Sequence, residues 1–285
     1  MIWTRQPALR RPVMVAAFGG WNDAGDAASA AVEFVRARFE PSEIARIDLE
    51  EFLDFTETRP TARLVDSRTR EIEWPTTTVS AAEVRGADND LVLVQGPEPS
   101  LRWRGYCDTI VEIARELDVE RVITLGSLLA DVPHSRPVHV TGIGSDAALL
   151  DRLGFAPTSY EGPTGITGVL NHHCGEAGLP SISLWASVPH YVAAAPNPKV
   201  ALALVRAFEG AAGLAVDASD LEVAAEDYER QVSAAVASDP EVKAFVERLE
   251  SAMDEVTDDS VTEVNLPSAD MIASDFQRFL RQRRG

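Results

Sequence analysis

Apolar residues fall in short unbroken runs that end in glycine or proline and lead into stretches of helical spacing. VMVAAF (13–18) stops at Gly19 and Gly20 and passes into WNDAGDAASAAVEFVRARF, whose alanine-rich body repeats every three or four residues. The same unit of strand, glycine turn and helix returns downstream. ARIDL (45–49), LVLVQG (91–96) and RVITLG (121–126) read as strands, and RWRGYCDTIVEIAREL (102–117) reads as a helix. Runs such as LVLV and VITL are apolar on both alternating faces, which is how strands look between two helical layers of a mostly parallel sheet. Residues 50–80 break the pattern with charge, Thr and Pro, and predict a hairpin or an irregular insertion. Further on, PVHVTG (137–142) and SISLWA (181–186) read as strands. Helices are expected near 145–153, through NHHCGEAG, and after PNPK.

Near residue 215 the pattern changes. Residues 216–260 hold 14 acidic side chains against Arg230, Lys243 and Arg248, so 3 − 14 = −11 of the chain's net −19 lies there. Their apolar positions keep helical intervals and are interrupted at SDPE (238–241), where Asp239 before Pro240 can cap a second helix. The expected organisation is an α/β core over residues 1–212 and an acidic helical extension over 213–285, two amphipathic helices with a short cationic helix at DMIASDFQRFLRQRRG.

That charge balance narrows the function. A surface of −19 repels phosphate backbones and anionic lipid at long range, so neither nucleic acid nor a membrane surface is an expected partner. No apolar stretch reaches the roughly 18 residues of a membrane span, and MIWTRQPALRRPV lacks the core of a signal peptide, so the expected location is the cytoplasm. Cys107 and Cys174 then read as free thiols.

Candidate chemistry is sparse. GIGSDA (142–147) fits a dinucleotide fingerprint, but the helix after it is short and GPTGITG stands where a second strand is needed, so no cofactor is expected. GPTGITG (162–168) could present backbone N–H groups to an anion, although a helix start capped by Thr164 or Thr167 explains it as well. The chain has no G-x-x-x-x-G-K-[ST] and no G-x-S-x-G, which argues against a P-loop and a hydrolase elbow. His172 and His173 point about 100° apart on a helix, a poor start for a metal site, and no metal is expected. What remains is a set of loops at expected strand ends: Gly19, Gly20, Trp21 and Asp23; Asp131, His134 and Arg136; Glu161, Thr164 and Gly165; and His190 in SVPHY. Asp23 and Asp26 also suit the start of a helix, whereas Trp21 in a loop suits an interface or a pocket lid.

Five strings in order carry a resemblance: GGWNDAGDAA (19–28), GPEPSLRWRGY (96–106), GSLLADVPHSRPV (126–138), YEGPTGITGVLNHHC (160–174) and GLPSISLWASVPHYVAAAPNPK (178–199). Together they resemble the bacterial branch of the proteasome assembly chaperone family, the type named after the second eukaryotic chaperone subunit, over roughly residues 1–210. The acidic remainder is similar to the extension of actinobacterial members. The resemblance implies an α/β core similar to that of purine nucleoside phosphorylases, no established enzymatic activity, self-association as a trimer, and proteasome subunits as partners. Some of these relatives grip the proteasome α-ring with a hydrophobic–Tyr–any tail, and FLRQRRG lacks its Tyr. Two functions compete on these grounds. One is a homo-oligomeric, non-enzymatic interaction protein; the other is an enzyme or sensor for a nucleoside or phosphorylated metabolite, using the loops 19–23, 131–136 and 161–165.

Overall fold

The computed structural model describes residues 1–258, apart from 67, 68, 146, 156, 157, 159 and 193. The cationic helix expected at DMIASDFQRFLRQRRG lies outside the described residues.

The apolar runs become strands of one eight-stranded sheet. Its members are β1 (Ile2–Trp3), β2 (Val13–Gly19), β3 (Ser42–Asp48), β6 (Thr76–Ala82), β7 (Leu91–Pro97), β8 (Arg121–Ala130), β9 (Val140–Gly144) and β10 (Ser181–Pro189). They lie in the order β1-β3-β6-β7-β2-β8-β10-β9. The central block β7-β2-β8-β10 is parallel, and antiparallel strands extend it on both sides. Two further strands, β4 (Thr61–Leu64) and β5 (Arg70–Glu73), pair only with each other as a separate hairpin.

Alternation along the buried strands splits the core in two. Val13, Val15 and Ala17 of β2, with Leu91 and Leu93 of β7, face helices α1 (Ala27–Phe39) and α5 (Pro198–Ala212). Met14, Ala16 and Phe18, with Val92 and Val94, face α2 (Trp103–Glu116) and α4 (Ile166–Glu176). Both sides of these strands are therefore dry, which is why they carry no alternating polar residue. The short helix α3 (Ala147–Leu153) follows β9. Helix α5 stops where Gly213 takes a left-handed turn (φ 68°). The acidic helices α6 (Ser219–Ala237) and α7 (Pro240–Asp258) follow, the latter capped by Asp239 Oδ1, which accepts from the Glu241 and Val242 N–H groups.

Three differences from the sequence reading have clear causes. The segment 50–80, read as a hairpin or an irregular insertion, holds the β4–β5 hairpin but also most of strand β6, because TTTVSAA lacks an apolar run although five of its seven residues are buried. Strand β8 runs four residues past Gly126, pairing with β10 as far as Pro189, so GSLLA is sheet and not loop. Gly142 and Gly144 belong to β9; a side chain on Gly144 would meet the Ser181 carbonyl, so close strand packing explains the fingerprint glycines.

Candidate functional site

The turn after β2 and the start of α4 meet at one corner. Gly20 adopts φ 130°, a conformation that favours glycine and brings its backbone against Glu98, at the end of β7. Glu98 then holds the corner together. Its Oε1 accepts from Asn22 Nδ2 at 2.5 Å and from the Ile166 N–H at 2.9 Å, and its Oε2 accepts from the Trp21 N–H at 3.2 Å. Its own N–H donates to the Gly19 carbonyl at 2.8 Å. A carboxylate on a helix N-terminus is favoured by both the free N–H groups and the dipole. The start of α4 is thus capped from across the fold, and neither Thr164 nor Thr167 caps it with its side chain, contrary to the expectation from GPTGITG.

Asn22 is fully buried and stands against Gly165, where an added Cβ would collide with its Oδ1. That oxygen and Thr167 Oγ1 are buried without a hydrogen-bond partner among the described residues. Asn22 O accepts from the Ser127 N–H at 2.8 Å, which ties the corner to β8. Asp23 does what the sequence suggested for it: its buried Oδ1 accepts from the Ala28 and Ser29 N–H groups at 2.8 and 3.1 Å at the start of α1. Burial pushes its carboxyl above the usual range, partly offset by those bonds. Trp21 projects outward, 38% exposed, and Glu161 and Thr164 lie on the surface.

The third loop is engaged elsewhere. Arg136 forms a two-pronged pair with Asp254 of α7, Nε to Oδ1 at 2.8 Å and Nη2 to Oδ2 at 2.6 Å, while Ser135 donates to Glu250. His134 Nδ1 lies 2.8 Å from Tyr191 OH, and its Nε2 lies 3.0 Å from Ser233 Oγ of α6. Burial, helped by nearby Lys199, holds this imidazole below the usual histidine range. Lys199 Nζ donates to the His134 carbonyl and to Glu229 of α6 at 2.6 Å. His190 Nδ1 reaches Asp131 at 2.9 Å, and both its ring and that of Tyr191 pack edge-on against Phe245 of α7. Asp131, His134, Arg136 and His190 therefore seat the acidic helices on the core. The cavity beside His134 and Lys199 measures about 20 Å³, room for about one water molecule.

The two corners use different partners. Glu98, Asn22, Tyr191 and Lys199 are the residues the sequence reading passed over. Glu98 stands in one of the quoted strings, but its partners lie 68 and 76 positions away, and local spacing carries no signal of that. Among the described residues no group of three or more His, Cys, Asp or Glu could hold a metal ion, and no helix is long and apolar enough to cross a membrane. Burial pushes the Cys107 and Cys174 thiols up to about 12, so both stay protonated at neutral pH.

These features define a class: an α/β protein with a parallel central block, a carboxylate-tied strand-end corner, and an acidic helical pair latched over a second loop. The chain belongs to the PAC2 family, whose model matches residues 17–236. It is similar to a PAC2 family protein from Streptomyces avermitilis, at 46% identity and a TM-score of 0.77, covering 82% of this chain and 99% of that one. It is equally similar to a Mycobacterium tuberculosis proteasome-assembly chaperone homologue, at 45% identity and a TM-score of 0.77, again over 82% and 99%. An archaeal proteasome activator from Pyrococcus furiosus shares the fold, at 15% identity and a TM-score of 0.65 over 82% and 97%. No curated protein matches the chain.

Proposed function

We propose that this protein is a non-enzymatic, assembly-chaperone-like interaction protein that works as a homo-oligomer, with proteasome subunits as its partners. One observation carries the reading: the chain belongs to the PAC2 family and is 45% identical to a proteasome-assembly chaperone homologue along 99% of that protein's length. The geometry supports it. The carboxylates Glu98 and Asp23 and the guanidinium of Arg136 at the two strand-end loops are spent on holding the chain's own elements, as structural groups are, and the thiols are protonated. A nucleoside or sugar phosphate is far larger than the cavity beside His134, which weighs against the small-ligand reading.

On this reading Gly19, Gly20, Trp21, Asp23, Glu161, Thr164 and Gly165 shape one recognition surface. Asp131, His134, Arg136 and His190 anchor the extension, and the core 1–212 and extension 213–285 are separate working parts. The self-assembly is a trimer.

Binding of the purified protein to separately purified proteasome α and β subunits, followed by interferometry, tests the proposal. Saturable binding at about 10 µM or tighter to either subunit is expected, a free energy of about −7 kcal/mol. No binding to either subunit at ten times that concentration, or turnover of a nucleoside or of ribose-1-phosphate, overturns it.

A further inference from the structure

The β4–β5 hairpin stands apart from the main sheet. It branches from the sheet between β3 and β6, pairs with no other strand, and all eight of its strand residues are exposed. A two-stranded hairpin is at best marginally stable in water without an apolar face packed against something. This one has such a face. The register pairs Ala62 with Ile72 and Leu64 with Arg70, so Ala62, Leu64, Ile72 and, two residues on, Trp74 share one side, with Arg70 at its tip. Leu64 is 64% exposed, Ile72 52% and Trp74 54%. The opposite side is polar and carries the Arg63–Glu73 pair at 2.7 Å. Its base is fixed from within, where Phe55 packs edge-on against Trp74 at 5.1 Å.

Charge and position identify what covers it. Residues 59–73 hold four Arg against three acids, 4 − 3 = +1, in a chain whose net charge is −19 and whose residues 216–260 carry −11. The complementary acidic surface is at the other end of the same molecule. Helix α6 packs on α5, and α5 packs on β10 and α1, whereas the hairpin leaves the sheet at β3 and β6. Four strand spacings, about 20 Å, separate β6 from β10. On α6, Val223 is 60% exposed beside Glu222 and Glu226. A cationic arm with an apolar face at one end and an acidic helix with an exposed apolar residue at the other make a head-to-tail contact between copies, the kind that closes into a ring.

We infer that the β4–β5 hairpin docks on the acidic α6 face of a second copy of this chain, around Val223. The inference rests on the homo-oligomer proposed above and names its interface. Sedimentation velocity of the full chain tests it with three proteins: the wild type, a hairpin variant (Leu64→Glu with Ile72→Glu), and an acceptor variant (Val223→Glu). Circular dichroism and melting confirm folding, and Leu64→Glu alone serves if the double variant melts early.

The wild type is expected as an oligomer and each variant alone as a monomer. An equimolar mixture of the two variants is expected as a dimer that grows no further, because each supplies one intact face. An oligomeric hairpin variant, or a mixture that stays monomeric, overturns the inference and leaves the homo-oligomer standing. A monomeric wild type overturns both.

Discussion

Glu98 shows how much of a corner can hang on one side chain. It caps α4, holds the Asn22 amide and fixes the turn at Trp21, three tasks that a local helix cap would not perform. The counterpart of that crowding is Gly165, which leaves room for Asn22. Gly165→Ala would push a methyl into the Asn22 carboxamide, and an overpacked site of this kind costs about 1–3 kcal/mol. Gly175, in the same helix, has open space where a Cβ would go, and Gly175→Ala is expected to stabilise by about 0.5–1 kcal/mol through helix propensity. Urea unfolding of the two variants checks the contrast; equal effects would contradict this description of the corner. The importance of glycine at GPTGITG was readable in the sequence, since turn chemistry is local. Its reason was not, because Asn22 meets Gly165 only after the sheet has assembled.

At the scale of elements, legibility followed burial. Strands dry on both faces, such as β2, β7 and β10, announce themselves as apolar runs. Strand β6 does not, because its outer positions are Thr and one of its two partners is β3, across the hairpin segment. The two acidic helices were readable from their apolar intervals and Asp239, but their seat was not. That seat is a polar latch: Arg136 to Asp254, Ser135 to Glu250, and His134 between Tyr191 and Ser233.

The latch should respond to pH. His134 binds its proton more weakly in the folded protein than in the unfolded chain. Its contribution is therefore complete above the ordinary histidine range near pH 6.5 and is lost as pH falls through that range towards the folded value. Half-buried His139 shifts the same way, by desolvation, and adds to the effect. We expect Tm to drop from about pH 7.5 to about pH 5.5 and His134→Gln to remove part of that drop. An unchanged slope in the variant would contradict a neutral, buried His134.

For the whole molecule, the distribution of charge matters more than its sum. The core, residues 1–212, holds −9 of the −19 and residues 216–260 hold −11, offset by +1 in residues 261–285, so most of the repulsive field sits on the latched helices. Such a field steers cationic partners towards the extension and keeps anionic ones away, with an influence that fades over about 10 Å at 0.1 M salt.

The role proposed for the protein is to promote assembly without catalysing a reaction. Mixing proteasome α and β subunits with and without it, and following the mature core particle on native gels over time, tests that role most directly. Faster or more complete assembly is the predicted result, with the protein absent from the finished particle. An assembly time course identical in its presence and absence would contradict the account.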